Sequence, residues 1–520
     1  MKLYNSIFKS AATTILLAVS VSATAQVANS PAAIEKLKEQ NLWFNTQTAA
    51  GTVYDNTRNF SNIIAGYDVE SGDFKRPQQG EKDKAFSISS EGFMNLDKVF
   101  LWGKFSFEHE NLTDASYNAS IADPFRGMPY YIIDEYQDSK WRNQYYDLQA
   151  RVSSPVINNW LTLGLAGDYK ASLAAKQRDP SVDTRFYTLR LVPSATFAFN
   201  RHHRFGVNVD YTSIKEDSRM DNVYYYLYQY YWATYGVGNS TQDYGSSGPT
   251  TNYIGDRIGT AIQYQYEAGA WNIMLEGAYA KRVEQAEQSL STPRKMFQAK
   301  DQTIDVKGTA ICAGENFTHT LKAAWGYRHI DGIQYMNQRD NTEAQQGWID
   351  LHHDIRSTYV TRTASFKYGI MRNRGDEYDW RVDASVAYVG LEDEYILPPS
   401  TKDSKNVFID LEAKKNFKVG DRLNNRLLVA VKGGLRNAND GKYVYGGTHE
   451  EYPTITMEAA DEAYLTSDAW HVGGSLTYSQ QLKENQKLNA YVKAGFDYHK
   501  SKADAFDKRS FASFSLGFNF

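Results

Sequence analysis

Two histidine-containing segments are the parts of this 520-residue sequence whose residue types could support catalysis or metal binding. Residues 352–354 (His-His-Asp) and 449–451 (His-Glu-Glu) each place an imidazole beside a carboxylate, the pairing used in general-base catalysis and in zinc sites. Neither has a nucleophile motif such as G-x-S-x-G nearby, and adjacent histidines on a strand point to opposite faces. We interpret both as solvated loop residues and predict a protein without enzymatic activity, metal site or cofactor.

The composition argues against several other classes of function. A formal net charge of −4 gives no reason to expect nucleic acid as a partner, and the single cysteine excludes an intramolecular disulfide framework. No mature segment approaches the roughly 18 apolar residues that a membrane helix needs. The mean hydropathy of −0.57 still allows a transmembrane barrel, because alternation hides the apolar face of each strand.

Aromatic residues concentrate in two segments that could bind a ligand. Residues 223–235 hold seven tyrosines and one tryptophan, and residues 124–141 form the second segment. Tyrosine offers a flat apolar face with a hydroxyl and loses little rotamer entropy, which suits recognition. The alternative is that these residues form a membrane-interface girdle or extend strands above the bilayer. The candidate ligand-binding residues are Tyr130, Tyr131, Trp141, Tyr224, Tyr225, Tyr226, Tyr228, Tyr230, Tyr231 and Trp232.

The elements that position these residues are strands, because apolar and polar residues alternate with period two along most of the chain. Segments 380–388, 470–479 and 488–498 show the pattern clearly. Such segments are about ten residues long, which is enough for a tilted strand to cross a bilayer; strands of soluble sandwiches are usually about five or six. Aromatic residues often end the apolar faces, as a membrane girdle requires. These features favour a membrane barrel.

Short turns alternate with long polar loops, which is the layout of an outer-membrane barrel with its long loops outside the cell. The turns fall near 95–97, 157–159, 200–203, 267–269, 315–317 and 483–486, and the loops near 113–143, 217–251, 283–300, 337–356 and 440–466. We predict an all-β, antiparallel, up-and-down transmembrane barrel over residues 58–520. It has about 18 strands within a range of 14–20, an even number that keeps both ends in the periplasm.

Charges of both signs fall on the face of the strands that would line the lumen. Close balance of the signs predicts pairing across the interior and argues against a strongly ion-selective pore. About 18 strands would enclose a water-filled space unless loops or the N-terminal segment fill it. The candidate lumen residues are Lys104, Asp168, Asp210, Glu276, Arg381, Asp383, Lys432 and Lys493.

The N-terminus carries an export signal followed by a short helix. Residues 1–25 have a positive start, an apolar stretch at 11–21 and a small-x-small cleavage pattern at 23–25, as in a secretory signal peptide. Ser30 as N-cap and Pro31 at the first helical position predict a helix start. Apolar residues at 42–44 need burial. Residues 26–57 are therefore expected either to plug the lumen or to lie across its periplasmic mouth.

The last strand resembles the C-terminal strand of Gram-negative outer-membrane barrel proteins. Phe514, Leu516, Phe518 and Phe520 share one face of a strand that ends the chain. In those proteins an amphipathic strand with a terminal phenylalanine is read by the barrel-assembly machinery, so the resemblance implies an assembly-signal role for these four residues. The mature chain is also similar in texture to an uncharacterised family of Bacteroidota-type outer-membrane barrels. This resemblance implies a location in the cell outer membrane, with its lipid and the assembly machinery as partners.

Three functions remain open at this point. The leading hypothesis is a porin-like channel or ligand-binding transport component with aromatic extracellular loops, taking a small-molecule ligand alone or beside a transport partner protein. The alternative is a sealed barrel that serves as a structural or docking partner in an outer-membrane complex. The third is a barrel-embedded hydrolase that uses His353 or His449.

Overall fold

The computed structural model describes residues 30–55, 59–96, 99–135, 138–224, 226–289, 291–340, 342, 347–483 and 488–520. The predicted signal peptide at 1–25, Tyr225 and most of the predicted turn at 483–486 lie outside these residues. The described elements, in chain order, are α1 (Pro31–Gln40), a 3₁₀ helix (Ala49–Tyr54), β1 (Phe60–Gly72), β2 (Lys82–Leu96), β3 (Val99–Ala115), β4 (Ile132–Ile133), β5 (Ser139–Ser153), β6 (Leu161–Lys176), β7 (Ser181–Ala198), β8 (His203–Asp221), β9 (Gln229–Gly236), β10 (Asn239–Gly245), β11 (Ser247–Ala268), β12 (Trp271–Gln288), β13 (Arg294–Ala313), β14 (Phe317–Asp340), β15 (Gly347–Arg374), β16 (Glu377–Tyr395), β17 (Ser400–Gly420), β18 (Asn425–Val444), α2 (Pro453–Leu465), β19 (Ala469–Gln481), β20 (Asn489–Ser501) and β21 (Lys508–Asn519).

All of these strands except β4, β9 and β10 form one antiparallel sheet of 18 strands. Each strand pairs with the next strand of the sheet, and β21 pairs back to β1 with Ile63 opposite Phe518. At the end of this seam the Ser61 N–H donates to the carbonyl oxygen of Phe520 at 2.7 Å. The sheet is therefore a closed barrel without free edges. The predicted fold class and strand number are confirmed.

The alternation in the sequence produces an apolar outer wall and a polar inner wall. Leu189, Leu275 and Leu476 point outward and are 48%, 52% and 54% exposed. Polar residues at the alternate positions face the interior, where Arg381 and Asp383 are buried. A closed sheet leaves no strand-edge backbone group unpaired, and its exposed apolar wall suits the interior of a bilayer. The fold is accordingly that of a transmembrane barrel.

The connections between strands distinguish two ends of the barrel, which we call the turn end and the loop end. Short connections at 199–202, 269–270 and 314–316 lie at the turn end, where β1 begins and β21 ends. Long connections at 116–138, 222–246 and 445–468 lie at the loop end and contain elements of their own. The three long connections therefore share one end, as the sequence spacing predicts, but other connections at that end, such as 177–180 and 396–399, are as short as those at the turn end.

Two of the predicted long loops are mostly strand. The 283–300 segment is the end of β12 and the start of β13, and the 337–356 segment is divided between β14 and β15. Their polar residues pair in register, with Asn337 opposite Asp350 and His353 opposite Tyr335. Extending these hairpins satisfies backbone hydrogen bonds that a loop would leave to water. The expectation that residues 352–354 lie in a loop was wrong for this reason.

The N-terminal helix begins where the sequence predicts. Ser30 precedes α1, and its Oγ accepts a hydrogen bond from the Ala33 N–H at 3.3 Å, while Pro31 takes the first helical position. Proline suits this position because its missing N–H would have no intrahelical partner there. No helix among the described residues is long and apolar enough to cross a membrane.

A folded cap covers part of the loop end. We define the cap as residues 116–134, 229–245 and 453–465, which include the small sheet of β4, β9 and β10 and the helix α2. Ile132 pairs with Ala233 across this sheet, and Thr454 Oγ1 donates to the Gly238 carbonyl oxygen at 2.8 Å. The cap and the upper barrel wall share one apolar core, in which Phe297 of β13 is fully buried. The cap is thus packed into the barrel as a core is packed in a soluble domain.

Candidate functional site

The N-terminal segment, residues 30–55, lies inside the barrel at the turn end. Its helix, its 3₁₀ helix and the residues between them bond to the inner wall on several sides. The contacts, with the wall strand in parentheses, are Lys38–Glu91 at 2.6 Å (β2), Phe44 O–Arg151 at 2.8 Å (β5), Ala50 O–Thr162 at 2.8 Å (β6), Ala50 N–Ser194 at 3.1 Å (β7), Thr48–Asn208 at 2.8 Å (β8), Trp43–Gln265 at 2.6 Å (β11), Glu39–Lys322 at 3.4 Å (β14), Glu39–Arg381 (β16) and Glu35–Lys414 at 3.3 Å (β17). These polar contacts reach strands around much of the barrel circumference, so the segment occupies the lumen at this end.

Trp43 is the largest fully buried side chain of the segment. Its Nε1–H donates to Gln265 Oε1 at 2.6 Å. The indole ring needs glycines on both sides of it: a Cβ at Gly206 would lie 2.6 Å from the ring, and one at Gly51 would lie 2.0 Å from it. The burial that the sequence requires for residues 42–44 is therefore provided by the barrel interior, with Leu42 and Trp43 in one small apolar cluster.

Glu39 makes the densest set of ionic contacts between the segment and the wall. Its Oε1 lies 2.8 Å from Arg381 Nη2, and its Oε2 bonds Arg381 Nη1. Arg381 also donates from Nε to Asp383 Oδ2 at 2.6 Å. Lys322 lies 3.4 Å from Glu39, and Lys367 lies 3.6 Å from Asp383. The predicted lumen residues Arg381 and Asp383 thus belong to one buried group of charges.

The other predicted lumen residues follow the same inward alternation, and most of them pair. Asp168 lies 3.4 Å from Arg190, and Lys432 lies 2.9 Å from Asp497. The remaining members are Asp210, paired with Arg257; Glu276, 3.8 Å from Lys307; Lys104, which is partly buried; and Lys493, which is exposed to the lumen. Charges of opposite sign therefore pair between nearby strands of the inner wall, and not across the interior as the balance of signs predicted.

A cavity of about 330 Å³ lies at the turn end between the N-terminal segment and the wall. Lys36, Tyr54 and Asp55 line it from the segment, and Asn272 and Asn373 are among the wall residues. Burial raises the pKa of Asp55 to about 7, against the opposing hydrogen bonds from the backbone N–H groups of Phe44 and Trp43. The segment therefore holds one carboxyl group that titrates near neutral pH.

Arg126 connects the cap to the wall of the barrel. Its Nη2 lies 2.6 Å from Glu216 Oε2 in β8, and its Nη1 bonds Glu284 in β12. The two carboxylate side chains are fully buried, and the guanidinium also lies 5.1 Å from the ring centre of Tyr253. Nothing in the sequence around Arg126 pointed to this role, since its partners are 90 and 158 residues away.

A second ionic group joins α2 to the wall. Asp461 accepts from Arg76 Nε at 2.6 Å and from Lys402 Nζ at 3.0 Å, and Lys402 also pairs with Glu458. Burial opposes ionisation of Asp461, but Lys402 and Arg76 outweigh it and lower the pKa of this carboxyl to about 2. The cap is thus held by apolar packing and by two sets of buried ion pairs.

The predicted aromatic ligand-binding residues divide into a buried and an exposed set. The buried members lie in the core shared by cap and barrel: Tyr130, Tyr131, Trp141 and Trp232. The exposed members follow β8 and enter β9: Tyr224, Tyr226, Tyr228 and Tyr230. Tyr231 is partly buried and donates to Asp243 at 2.9 Å. Only the second set is exposed at the surface, where Tyr230 packs on the neighbouring Tyr244 with ring centres 4.6 Å apart.

The two histidine segments, residues 352–354 and 449–451, have different neighbours, and no hydrogen bond, ion pair or ring contact joins these two described segments. His353 lies on the exposed part of β15 and stacks on Tyr335. His449 bonds Glu451 at 3.1 Å and stacks on Tyr452 at the loop end. Within the part of the chain that the structure describes, no group of three or more His, Cys, Asp or Glu residues could hold a metal ion.

Comparison with solved structures returns outer-membrane proteins at low similarity. FecA, a ferric citrate transporter in its unliganded form, has 8% sequence identity and a TM-score of 0.42, with 88% of this chain and 78% of that chain covered. YddB, an outer membrane transporter from Escherichia coli, has 8% identity and a TM-score of 0.39, covering 88% and 81%. OpdK from Pseudomonas aeruginosa, solved with vanillate, has 10% identity and a TM-score of 0.32, covering 89% and 99%.

Sequence comparison gives a family but no characterised relative. No curated protein matches the chain. A family model matches residues 49–520, which include the 3₁₀ helix and the whole barrel. The chain therefore belongs to a family of unknown function, DUF6850.

Proposed function

We propose that the protein is an outer-membrane barrel that transports a small ligand through a lumen closed at rest by its N-terminal segment. The observation that carries the proposal is the set of polar contacts between residues 30–55 and the inner wall. A typical hydrogen bond contributes only about 0.5–1.5 kcal/mol net, because water replaces it when it breaks. The segment also buries Trp43 and the Glu39–Arg381 ion pair, but these contacts are made to wall side chains, so it can leave and return without breaking the strand pairing of the barrel.

The exposed tyrosines support entry of the ligand from the loop end. Tyr230 and Tyr244 of the cap form a packed group of exposed rings with the adjacent Tyr228. Rigid aromatic side chains of this kind give contact area at low entropic cost. The apolar outer wall and the predicted export signal at 1–25 support the proposed location in the outer membrane. Phe514, Leu516 and Phe518 point outward at the seam, and with Phe520 they remain our proposed assembly signal.

Planar-bilayer conductance of the purified protein tests the proposal. We compare the wild type with a triple variant, Lys36→Ala, Lys38→Ala and Glu39→Ala, which removes ionic contacts of the segment. A matched control, Asp183→Ala, Arg185→Ala and Arg219→Ala, changes the net charge equally at exposed wall positions. We expect rare openings in the wild type and the control, and a severalfold higher mean conductance in the triple variant. A constant large conductance in the wild type, or no difference among the three, contradicts the proposal.

The second candidate is a sealed barrel that docks a partner protein at the loop end. The cap favours this candidate. Its apolar core is packed like a domain interior, and exposed tyrosines lie on its surface. Crosslinking in native membranes, followed by purification of the wild type and a Tyr228→Ala, Tyr230→Ala variant, tests this candidate. A stoichiometric partner that is lost in the variant, with no ligand uptake by the wild type, would favour docking over transport.

A further inference from the structure

The carboxylate of Glu39 occupies a cationic patch on the inner wall of the barrel. Arg381 grips both carboxylate oxygens, with Nη2 2.8 Å from Oε1 and Nη1 bonded to Oε2. Lys322 adds a third contact at 3.4 Å. The Glu39 and Arg381 side chains are only 6% and 10% exposed. Two parallel bonds from one guanidinium are the geometry by which arginine recognises carboxylate groups.

The wall side chains of the patch carry an excess of positive charge, which Glu39 reduces. Lys322 and Lys367 lie directly opposite each other on β14 and β15, and Arg381 lies on β16. Like charges opposite each other in a sheet are unfavourable unless an anion joins them. Asp383 neutralises one of the three positive charges and contacts Arg381 and Lys367. Glu39 neutralises a second, so the bare wall carries two uncompensated positive charges at this place.

The wall leaves room for the patch and keeps it accessible to water. A Cβ at Gly369 would lie 2.5 Å from Asp383 Oδ1, so glycine at this position is what admits the Arg381–Asp383 pair. The Lys322 and Lys367 side chains are 40% and 39% exposed to the lumen. Asp383 holds the Arg381 guanidinium from the wall itself, so Glu39 is not the only group that positions this arginine beside the two hydrated lysines.

We infer that Arg381 and Lys322 bind the carboxylate group of a small ligand, and that Glu39 occupies this site while the N-terminal segment is docked. The biological use of the site rests on the proposed function, since the site opens only when the segment moves. A ligand carboxylate that takes the place of Glu39 removes one of the contacts that hold the segment. Binding of the ligand and release of the segment are then coupled through one site.

Removal of the Glu39 side chain tests the site directly. Glu39→Ala vacates the place of the Glu39 carboxylate, which the carboxylate of propionate can reach from the lumen, whereas Glu39→Gln keeps the side chain in place. With the full-length protein in detergent, calorimetry should give propionate at least tenfold tighter binding to Glu39→Ala than to the wild type or Glu39→Gln. Adding Arg381→Lys keeps the positive charge but loses the two parallel hydrogen bonds of the guanidinium, and it should weaken propionate binding at least fivefold.

Glu35→Ala is the matched control for this experiment. Glu35 contacts Tyr378 and Lys414, away from Lys322, and it should not create a propionate site when removed. Equal affinity in Glu39→Ala, Glu39→Gln and Glu35→Ala would overturn the carboxylate site.

Competition between propionate and Glu39 is measured on the wild-type protein, so the result is not affected by a variant that misfolds. Propionate at rising concentration should increase the rate at which added protease cleaves residues 30–55, several times more than chloride at equal ionic strength. Binding to Glu39→Ala with no effect on cleavage overturns the coupling and counts against the proposed gate, while the site itself stands. Failure of binding overturns the site and leaves the gate to be judged by conductance.

Discussion

Arg126 Nη2 lies 2.6 Å from Glu216 Oε2, so a residue of the cap is ion-paired inside the barrel wall with a partner 90 positions along the chain. Glu284 completes the contact from β12. Both carboxylates are fully buried, and Arg126 bridges them, while Glu284 also lies 3.3 Å from Arg282. Arg126 therefore adds a buried ionic link to the apolar packing that holds the cap.

Arg126→Ala should destabilise the cap strongly, because it leaves two buried carboxylates without this partner. Breaking a buried pair by removing one member typically costs about 3–5 kcal/mol. We expect faster proteolysis of residues 116–134 and 229–245 while the barrel stays folded. Arg185→Ala removes an exposed pair with Asp183 and is the control, with an effect below about 1 kcal/mol. Equal proteolysis of both variants would show that Arg126 does not hold the cap.

Trp43→Ala should weaken docking of the N-terminal segment. Truncation of a fully buried aromatic side chain typically costs about 3–5 kcal/mol, and here Gln265 also loses a hydrogen bond. The expected result is rapid protease cleavage within residues 30–55, with thermal unfolding of the barrel little changed. Asn45→Ala alters an exposed residue two positions away whose side chain donates to the Lys38 and Asn41 carbonyl oxygens within the segment, and it should be cleaved at a rate close to that of the wild type. Resistance of the Trp43 variant to protease would contradict the packing described here.

Docking of the segment should depend on pH through Asp55. Burial raises the pKa of Asp55 from 3.8 to about 7, so the docked segment binds more protons than the released one between these values. Docking therefore weakens as the pH rises from about 4 to 7, and it remains weaker above 7. Protease cleavage of residues 30–55 should be faster at pH 8 than at pH 5 in the wild type, and nearly equal at both in Asp55→Asn. An identical pH profile in the variant would assign the effect to another group.

Asp461 should give the cap the opposite response to pH. Its pKa is lowered to about 2, so its ion pairs stabilise the cap above about pH 4 and lose this contribution as the pH falls toward 2. Asp461→Asn should loosen α2 at neutral pH and remove this acid dependence. Hydrogen exchange of residues 453–465 measures both effects. An unchanged exchange rate at pH 7 would mean that Arg76 and Lys402 do not fix the helix through Asp461.

The barrel was predictable because its determinant is local. Alternation between neighbouring residues, such as Arg381 inward and Val382 next to it, is itself the inner and outer wall of a strand. The start of α1 was predictable for the same reason, since Ser30 and Pro31 act on the first turn that follows them. The alternation alone identified the eight predicted lumen residues as inward-facing, although it did not identify their ion-pair partners.

The contacts made across the lumen were not predictable, because residues far apart in the sequence form them and no spacing pattern indicates which residues will pair. Glu39 and Arg381 are 342 residues apart, and either residue alone reads as an ordinary charged side chain. Tyrosine enrichment was ambiguous for a different reason. The same side chain fills a core at Tyr130 and lies exposed at Tyr228, and only the fold of the cap separates the two. The helix α2 was missed inside a segment that we interpreted as a loop.

The attachment of the N-terminal segment to β1, beside the β1–β21 seam, sets how far a released segment can travel. Covalent linkage confines residues 30–55 to a radius of roughly 3.3–3.6 Å per residue from the first strand. Its return is an intramolecular event at high effective concentration, so re-closure needs no second molecule and no energy source. In the proposed function, opening the lumen is thus the step that must be driven, while closing follows from the tether alone.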